Sequence, residues 1–179
     1  GAAQAASVLY KNHCDVLIHI NVPVAERIPA YNRIRGFVET CKEHNLNYEL
    51  FLEDLGNSYE DNNRSLSSIF DRIEKKYPGK RKGIFLANDT YANIFLNQVI
   101  LKHGKLPDDY RIIGFDNSPI SKEAIIPIST IGQQIDKIAW TAMDILVDQM
   151  NDRKKRRPKY STEIIHKQIT PILVRRSTT

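Results

Sequence analysis

Four short runs rich in β-branched and aromatic residues, at 15–21, 48–52, 83–87 and 110–115, recur along this chain, and each is separated from the next by a helix-period pattern. Apolar runs of this length bounded by turn residues are strand candidates. Residues 30–44 place Ile34, Phe37, Val38 and Cys41 at three- and four-residue spacing, and 62–77 does the same with Leu66, Ile69, Phe70 and Ile73. A third helix, 91–103, has Asp89 or Thr90 as a possible cap and Gly104 and Pro107 at its end. Strand and helix in alternation make βαβ units, so the expected fold is α/β, a parallel sheet with helices on both faces. Right-handed crossovers then bring the carboxyl ends of all four strands to one edge, where open α/β sheets bind ligands. The loops 21–31, 53–61, 87–90 and 115–120 open on that edge, and the fourth strand delivers Asp116 there.

The pattern changes after Asn117. Residues 118–127 hold Pro119 and Pro127 without a helical period and read as a surface loop. A short β-like segment, 128–133, precedes a strong helix at 135–150, and 162–166 and 169–174 are β-rich with a bend near Pro171. At the other end, the alanine-rich residues 2–12 read as a helix.

Composition narrows the function class. The formal net charge is +5, but six positive charges and no acid lie between Arg153 and Lys159, leaving the rest close to neutral. The basic run reads as a solvated connector after a helix, and no site is assigned to it. Cys14 and Cys41 are too few for a disulfide framework, and the five histidines show no metal-ligand spacing. Cys41 falls on an apolar helix face and reads as packing, and Trp140, within an apolar helix, reads as packing or interface. Neither a secretory signal nor a membrane-length apolar run is present, so the cytoplasm is the expected location and no membrane partner is expected. The chain has no Gly-x-Ser-x-Gly elbow, phosphate-loop lysine motif or Gly-x-Gly-x-x-Gly fingerprint, which points to a binding module rather than an enzyme. No metal or cofactor is expected.

Five stretches, in order, resemble the effector-binding domain of the lactose-repressor/galactose-repressor family of bacterial transcription regulators. They are Arg33-Ile34-Arg35-Gly36-Phe37, Ala87-Asn88-Asp89, the run from Pro107 through Asp116 and Asn117, Ser129-Thr130-Ile131-Gly132-Gln133, and the ending Leu173-Val174-Arg175-Arg176-Ser177-Thr178-Thr179. The resemblance implies a periplasmic-binding-protein-like core of two lobes with a ligand cleft between them. It reads the chain as N-terminally truncated: 14–127 and 160–179 form the second lobe, 1–13 and 128–152 are pieces of the first, and a DNA-binding domain is absent. The helices at 2–12 and 135–150 would then lack part of their sheet and show uncovered apolar faces.

The implied function is that of a repressor's ligand-sensing domain, a homodimer that binds a small sugar effector between its lobes and controls operator DNA through the missing domain. The alternative is an extracytoplasmic sugar-binding protein of a transporter, and a purine effector is also open. The resemblance places effector contacts on Arg33, Asn88, Asp116 and Gln133, with Arg27, Asn57 and Tyr59 as further contacts on looser alignment. These types suit the task, because fixed forks of donors and acceptors pair with adjacent hydroxyls. Structural roles stay open beside it: an ion pair at a helix start for Arg33, a helix cap for Asn88 or Asp89. The dimer surface is expected on the helix after Asn88 and the loop after Asn117, at Tyr91, Ile94 and residues 118–126.

Overall fold

A computed structural model describes residues 1–28, 30–153 and 164–179. The elements run α1 (Ala2–Lys11), β1 (Val16–Asn21), α2 (Tyr31–Glu43), β2 (Tyr48–Leu52), α3 (Tyr59–Lys76), β3 (Lys82–Leu86), α4 (Asp89–His103), β4 (Tyr110–Phe115), α5 (Ile120–Glu123), β5 (Ser129–Gly132), α6 (Ile135–Arg153) and β6 (Ile172–Val174). The strands form one sheet in the order β2-β1-β3-β4-β5-β6, parallel throughout except for β6 against β5. The expected parallel α/β architecture is present.

Alternation along the central strands builds two cores, because successive side chains leave opposite faces of a strand. Val16, Ile18, Ile20, Ile84, Leu86 and Ile112 face α3 and α4, packing on Leu66, Ile69, Phe70, Ile73, Phe95 and Val99. Leu17, Phe85, Ile113, Phe115 and Ile131 face α1 and α2, packing on Ala5, Ala6, Leu9, Phe37 and Cys41. Ser58 and Asn88 cap α3 and α4 by accepting from Asp61 N and Tyr91 N, and Gly104 ends α4 at φ 74°. Lys82, the first residue of β3, is 2% exposed and is held by Asp109 Oδ2 at 2.6 Å.

Several elements differ from the sequence reading. The helix α1 does not present an uncovered face: Ala2, Ala5, Ala6 and Leu9 are buried against this same sheet. Its small residues allow close approach, and a Cβ on Gly83 would sit 3.0 Å from Leu9 Cβ. Likewise β5, within the segment assigned to the first lobe, is hydrogen-bonded to β4. The 118–127 stretch contains a short helix, α5, which Pro119 opens at φ −52°, a proline-compatible helical start. Among the described residues one terminal strand forms, β6, beginning immediately past Pro171, whose missing N–H cannot join a ladder. Residues 164–166 are not strand, while 162 and 163, like the basic run from 154 to 159, lie outside the described residues. Ile94 is buried in the core rather than at a surface.

The expectation for α6 is met in a particular way. Ile135, Ile138, Trp140, Met143, Leu146, Val147 and Met150 are all exposed, Trp140 at 71%. The helix leaves the sheet after Gly132 and stands off it.

Candidate effector-binding edge

At the carboxyl ends of the strands, α2 begins with Arg33 in its first turn. Two partners hold its guanidinium: Nη1 donates to the Ala87 carbonyl at 2.6 Å, and Cζ lies 3.8 Å over the Phe115 ring centroid. A half-buried Arg so clamped is pre-aimed, since its fork has lost most of its rotamer freedom before any ligand arrives. Burial weighs against its charge, and the Asp116 carboxylate counters that loss.

Asp116 follows β4. Its Oδ1 accepts from Gln133 Nε2 at 2.6 Å, so a carboxylate and a carboxamide from adjacent strand ends form one polar pair. The backbone turns through two consecutive left-handed residues, Asp116 at φ 101° and Asn117 at φ 54°. A non-glycine residue held there costs about 1–3 kcal/mol and persists only where its surroundings over-determine it. Arg33, Phe115, Gln133, Ala30, Asn32 and the start of α1 line an open depression of about 350 Å³.

Three of the four principal candidates thus converge: Arg33, Asp116 and Gln133. Asn88 sits on the same edge, but its Oδ1 caps α4 through Tyr91 N at 2.8 Å, which leaves its Nδ2 for other work. Arg27 and Asn57 are exposed in edge loops, outside the lining of the depression. Tyr59 belongs elsewhere; it lines a groove between α3 and α4 with Asn63, Asn97, Gln98, Leu101 and Ile125.

Sequence reasoning missed four residues beneath this edge. His19 is fully buried on β1, stacked on Phe85 at 4.7 Å and tilted on Phe37 at 5.3 Å. Its Nδ1 lies 2.9 Å from the Phe85 carbonyl, which can only accept, so Nδ1 carries the proton and Nε2 accepts from Asn21 Nδ2 at 3.3 Å. Asn21 in turn accepts from Val22 N at 2.8 Å. Burial pulls the His19 pKa down to about 4, the bond to Phe85 opposing and the Arg33 charge assisting. Two polar residues inside an apolar strand run were the available signal. The third is Phe115, the platform under Arg33.

The fourth is Asp89, 1% exposed. Its Oδ1 accepts from Thr130 Oγ1 at 2.6 Å, and its Oδ2 from Ser118 N at 2.7 Å and Ser118 Oγ at 3.0 Å. Burial pushes its carboxyl pKa up, and those hydrogen bonds pull it back. No group of three or more metal-ligating side chains occurs among the described residues, and no described helix is long and apolar enough to cross a membrane.

Comparison with known proteins places the fold. Residues 7–179 match the model of a family described as the periplasmic binding protein-like domain. The chain is 28% identical over 136 residues to the HTH-type transcriptional repressor PurR of Aliivibrio fischeri strain MJ11, covering 74% of this chain and 39% of that protein. It is 27% identical over 179 residues to the ribose operon repressor of Halalkalibacterium halodurans, covering 99% of this chain and 50% of that one. The chain therefore spans half or less of the length of these curated relatives. Among solved structures, a LacI family transcriptional regulator from Enterococcus faecalis V583 with bound ribose superposes with a TM-score of 0.70 at 23% identity, covering 100% of this chain and 60% of that one. A periplasmic binding ribose operon repressor protein from Lactobacillus acidophilus gives a TM-score of 0.74 at 20% identity, covering 100% and 61%.

Proposed function

The chain belongs to the periplasmic binding protein-like domain family, and from that premise we propose that it is the second lobe of the effector-binding domain of a cytoplasmic transcriptional repressor that senses a small sugar. The observation that carries the reading is the convergence of Arg33, Asp116 and Gln133 on one strand-end edge. A carboxylate accepting from one hydroxyl beside a guanidinium donating to its neighbour is the pairing that adjacent sugar hydroxyls require. Two of the relatives, both ribose operon repressors, favour the same ligand class.

In this reading the ligand lies between this edge and a first lobe, and α6 is the piece that enters that lobe, its exposed apolar face meeting the sheet there. Closure of the lobes over the ligand biases the spacing of DNA-binding heads attached upstream, with coupling of about 1–3 kcal/mol. The effect on operator binding arises only from the ligand's preference for one lobe arrangement. The reading is of a binding site, in which the Asp116 carboxylate is engaged by the Gln133 carboxamide.

Calorimetry of the intact protein against D-ribose, a panel of other neutral sugars, sugar phosphates and nucleobases tests this. One neutral sugar is expected to bind, and Asp116→Ala to weaken it about 10- to 100-fold, the loss of a charge-assisted hydrogen bond. Silence across the panel, or an Asp116→Ala variant that binds as well as the wild type, sinks the proposal.

Homodimerisation through α4 and the segment after Asn117 is part of the proposal. Ile125 is 77% exposed and Leu101 78%, side by side in the groove that Tyr59 also lines. An Ile125→Asp variant is expected to sediment as a monomer with an unchanged circular dichroism spectrum, since so exposed a side chain contributes little to the monomer's fold. Unaltered sedimentation removes this surface from consideration.

A further inference from the structure

Three consecutive backbone amides leave β4, and each donates to a fixed acceptor on a different group. Asp116 N donates to the Ile131 carbonyl at 2.8 Å, Asn117 N to Thr130 Oγ1 at 3.2 Å, and Ser118 N to Asp89 Oδ2 at 2.7 Å. Thr130 is fully buried and its hydroxyl donates a hydrogen bond to Asp89 Oδ1. The hydroxyl therefore both receives Asn117 and donates to Asp89, which a methyl group cannot do. From the other side, Arg176 Nη2 donates to Asn117 Oδ1 at 2.6 Å while its Nη1 holds the Ile128 carbonyl at 2.7 Å and Ser121 Oγ at 3.2 Å.

These bonds enclose the two left-handed residues and little else. Gly114, one residue before Phe115, has no Cβ, and one built there would overlap Asp89 Oδ1. The glycine thus admits the carboxylate to the end of β4, where it reaches the turn from α4. Asp89, Gly114, Thr130 and Arg176 are outside the lining of the depression.

We propose that Asp89 and Thr130 are positioning residues for effector binding: they hold the amides of Asn117 and Ser118, and so lock Asp116 in the left-handed conformation that presents its carboxylate beside Gln133. The inference rests on Asp116 being an effector contact. Without the two acceptors Asp116 relaxes to a negative φ, its carboxylate leaves Gln133, and the paired recognition of hydroxyls is lost while the strand itself stays in place. Thr130 sits on β5, two residues before Gly132 and the exit to α6, so the strand that feeds the interlobe helix also sets the aim of the contact residue.

The test uses Thr130→Val, which keeps shape and removes the hydroxyl, Thr130→Ser, which keeps the hydroxyl, and Asp89→Asn, which keeps shape and removes one acceptor. Crystal structures of the intact protein read φ at Asp116 without any ligand. Thr130→Val and Asp89→Asn are expected to show a negative φ and no Gln133–Asp116 bond, and Thr130→Ser to keep both. A turn unchanged in Thr130→Val and Asp89→Asn overturns the proposal. Calorimetry of the intact protein with D-ribose then forms a cycle with Asp116→Ala. Thr130→Val is expected to weaken D-ribose about tenfold in the wild type, Thr130→Ser to restore it, and Thr130→Val to add nothing once Asp116 is alanine. An equal loss in both backgrounds overturns positioning through Asp116. If Asp116→Ala binds D-ribose like the wild type, the failure lies with the contact assignment, while the φ measurement still decides what holds the turn.

Discussion

Between pH 7 and pH 4 the wild-type chain will lose about 3 kcal/mol of stability that a His19→Leu variant does not lose, the difference between an ordinary imidazole and one held near pKa 4. The imidazole is buried between Phe37 and Phe85, and its Nδ1–H and Nε2 are already committed to a carbonyl and an amide. A second proton would have no acceptor and would place a cation beneath Arg33. The folded pKa is lowered, so below pH 6.5 the unfolded chain takes up a proton that the folded chain refuses. The contribution is complete above pH 6.5, fades as pH falls toward 4 and is flat below. Full burial leaves no solvent to screen the effect. Urea unfolding of both proteins at several pH values measures it, because carboxylates titrating in the same range cancel in the difference. The leucine variant loses two hydrogen bonds, a cost independent of pH; parallel stability curves for the two proteins would refute the account.

Gly114→Ala is expected to cost about 3 kcal/mol and to lower the melting temperature by roughly 6–12 °C in a chain of this size. The new methyl would overlap Asp89 Oδ1, lie 3.2 Å from Asp89 Cα and 3.3 Å from Ala92 Cβ, so both the carboxylate and the backbone of α4 must move. A flexible surface side chain would swing aside at little cost. Asp89 cannot, because Thr130 and Ser118 hold both of its oxygens and leave no solvated alternative. Adding Asp89→Ala to Gly114→Ala should then change stability far less than Asp89→Ala does alone, the non-additivity expected of groups competing for one volume. Differential scanning calorimetry of the four proteins decides it, and a Gly114→Ala variant melting with the wild type would show that α4 yields freely.

The central strands were legible because a strand buried on both faces must be apolar at every position, which leaves a contiguous run in the sequence. Periodicity likewise announced α2 and α3. The role of α1 was not legible: alanines signal a helix but not its neighbour, and its closeness to Gly83 is a long-range fact. For the candidate site, the converging residues lie at strand ends or in a helix's first turn, where the topology itself dictates the location. Tyr59, Asn57 and Arg27 lie in or beside longer loops, whose path the strand pattern does not determine. His19 and Asp89 escaped because their importance lies in buried partners, Phe85 and Asn21 for one, Thr130 and Ser118 for the other, supplied by distant parts of the chain.

The antiparallel pairing at the sheet's end has a consequence for how the lobe can assemble. Gly132 on β5 lies directly opposite Ile172 on β6, so the chain departs and returns at neighbouring points one strand spacing apart. In polymer terms the stretch beyond the contact residue Gln133, residues 134–171, is one long closed loop, and its closure entropy grows only with the logarithm of its length. Whatever those residues build outside the sheet, the lobe meets them as an insertion between paired ends. The effector edge can therefore form first, and the excursion can be lengthened, exchanged or docked elsewhere at a nearly constant entropic charge.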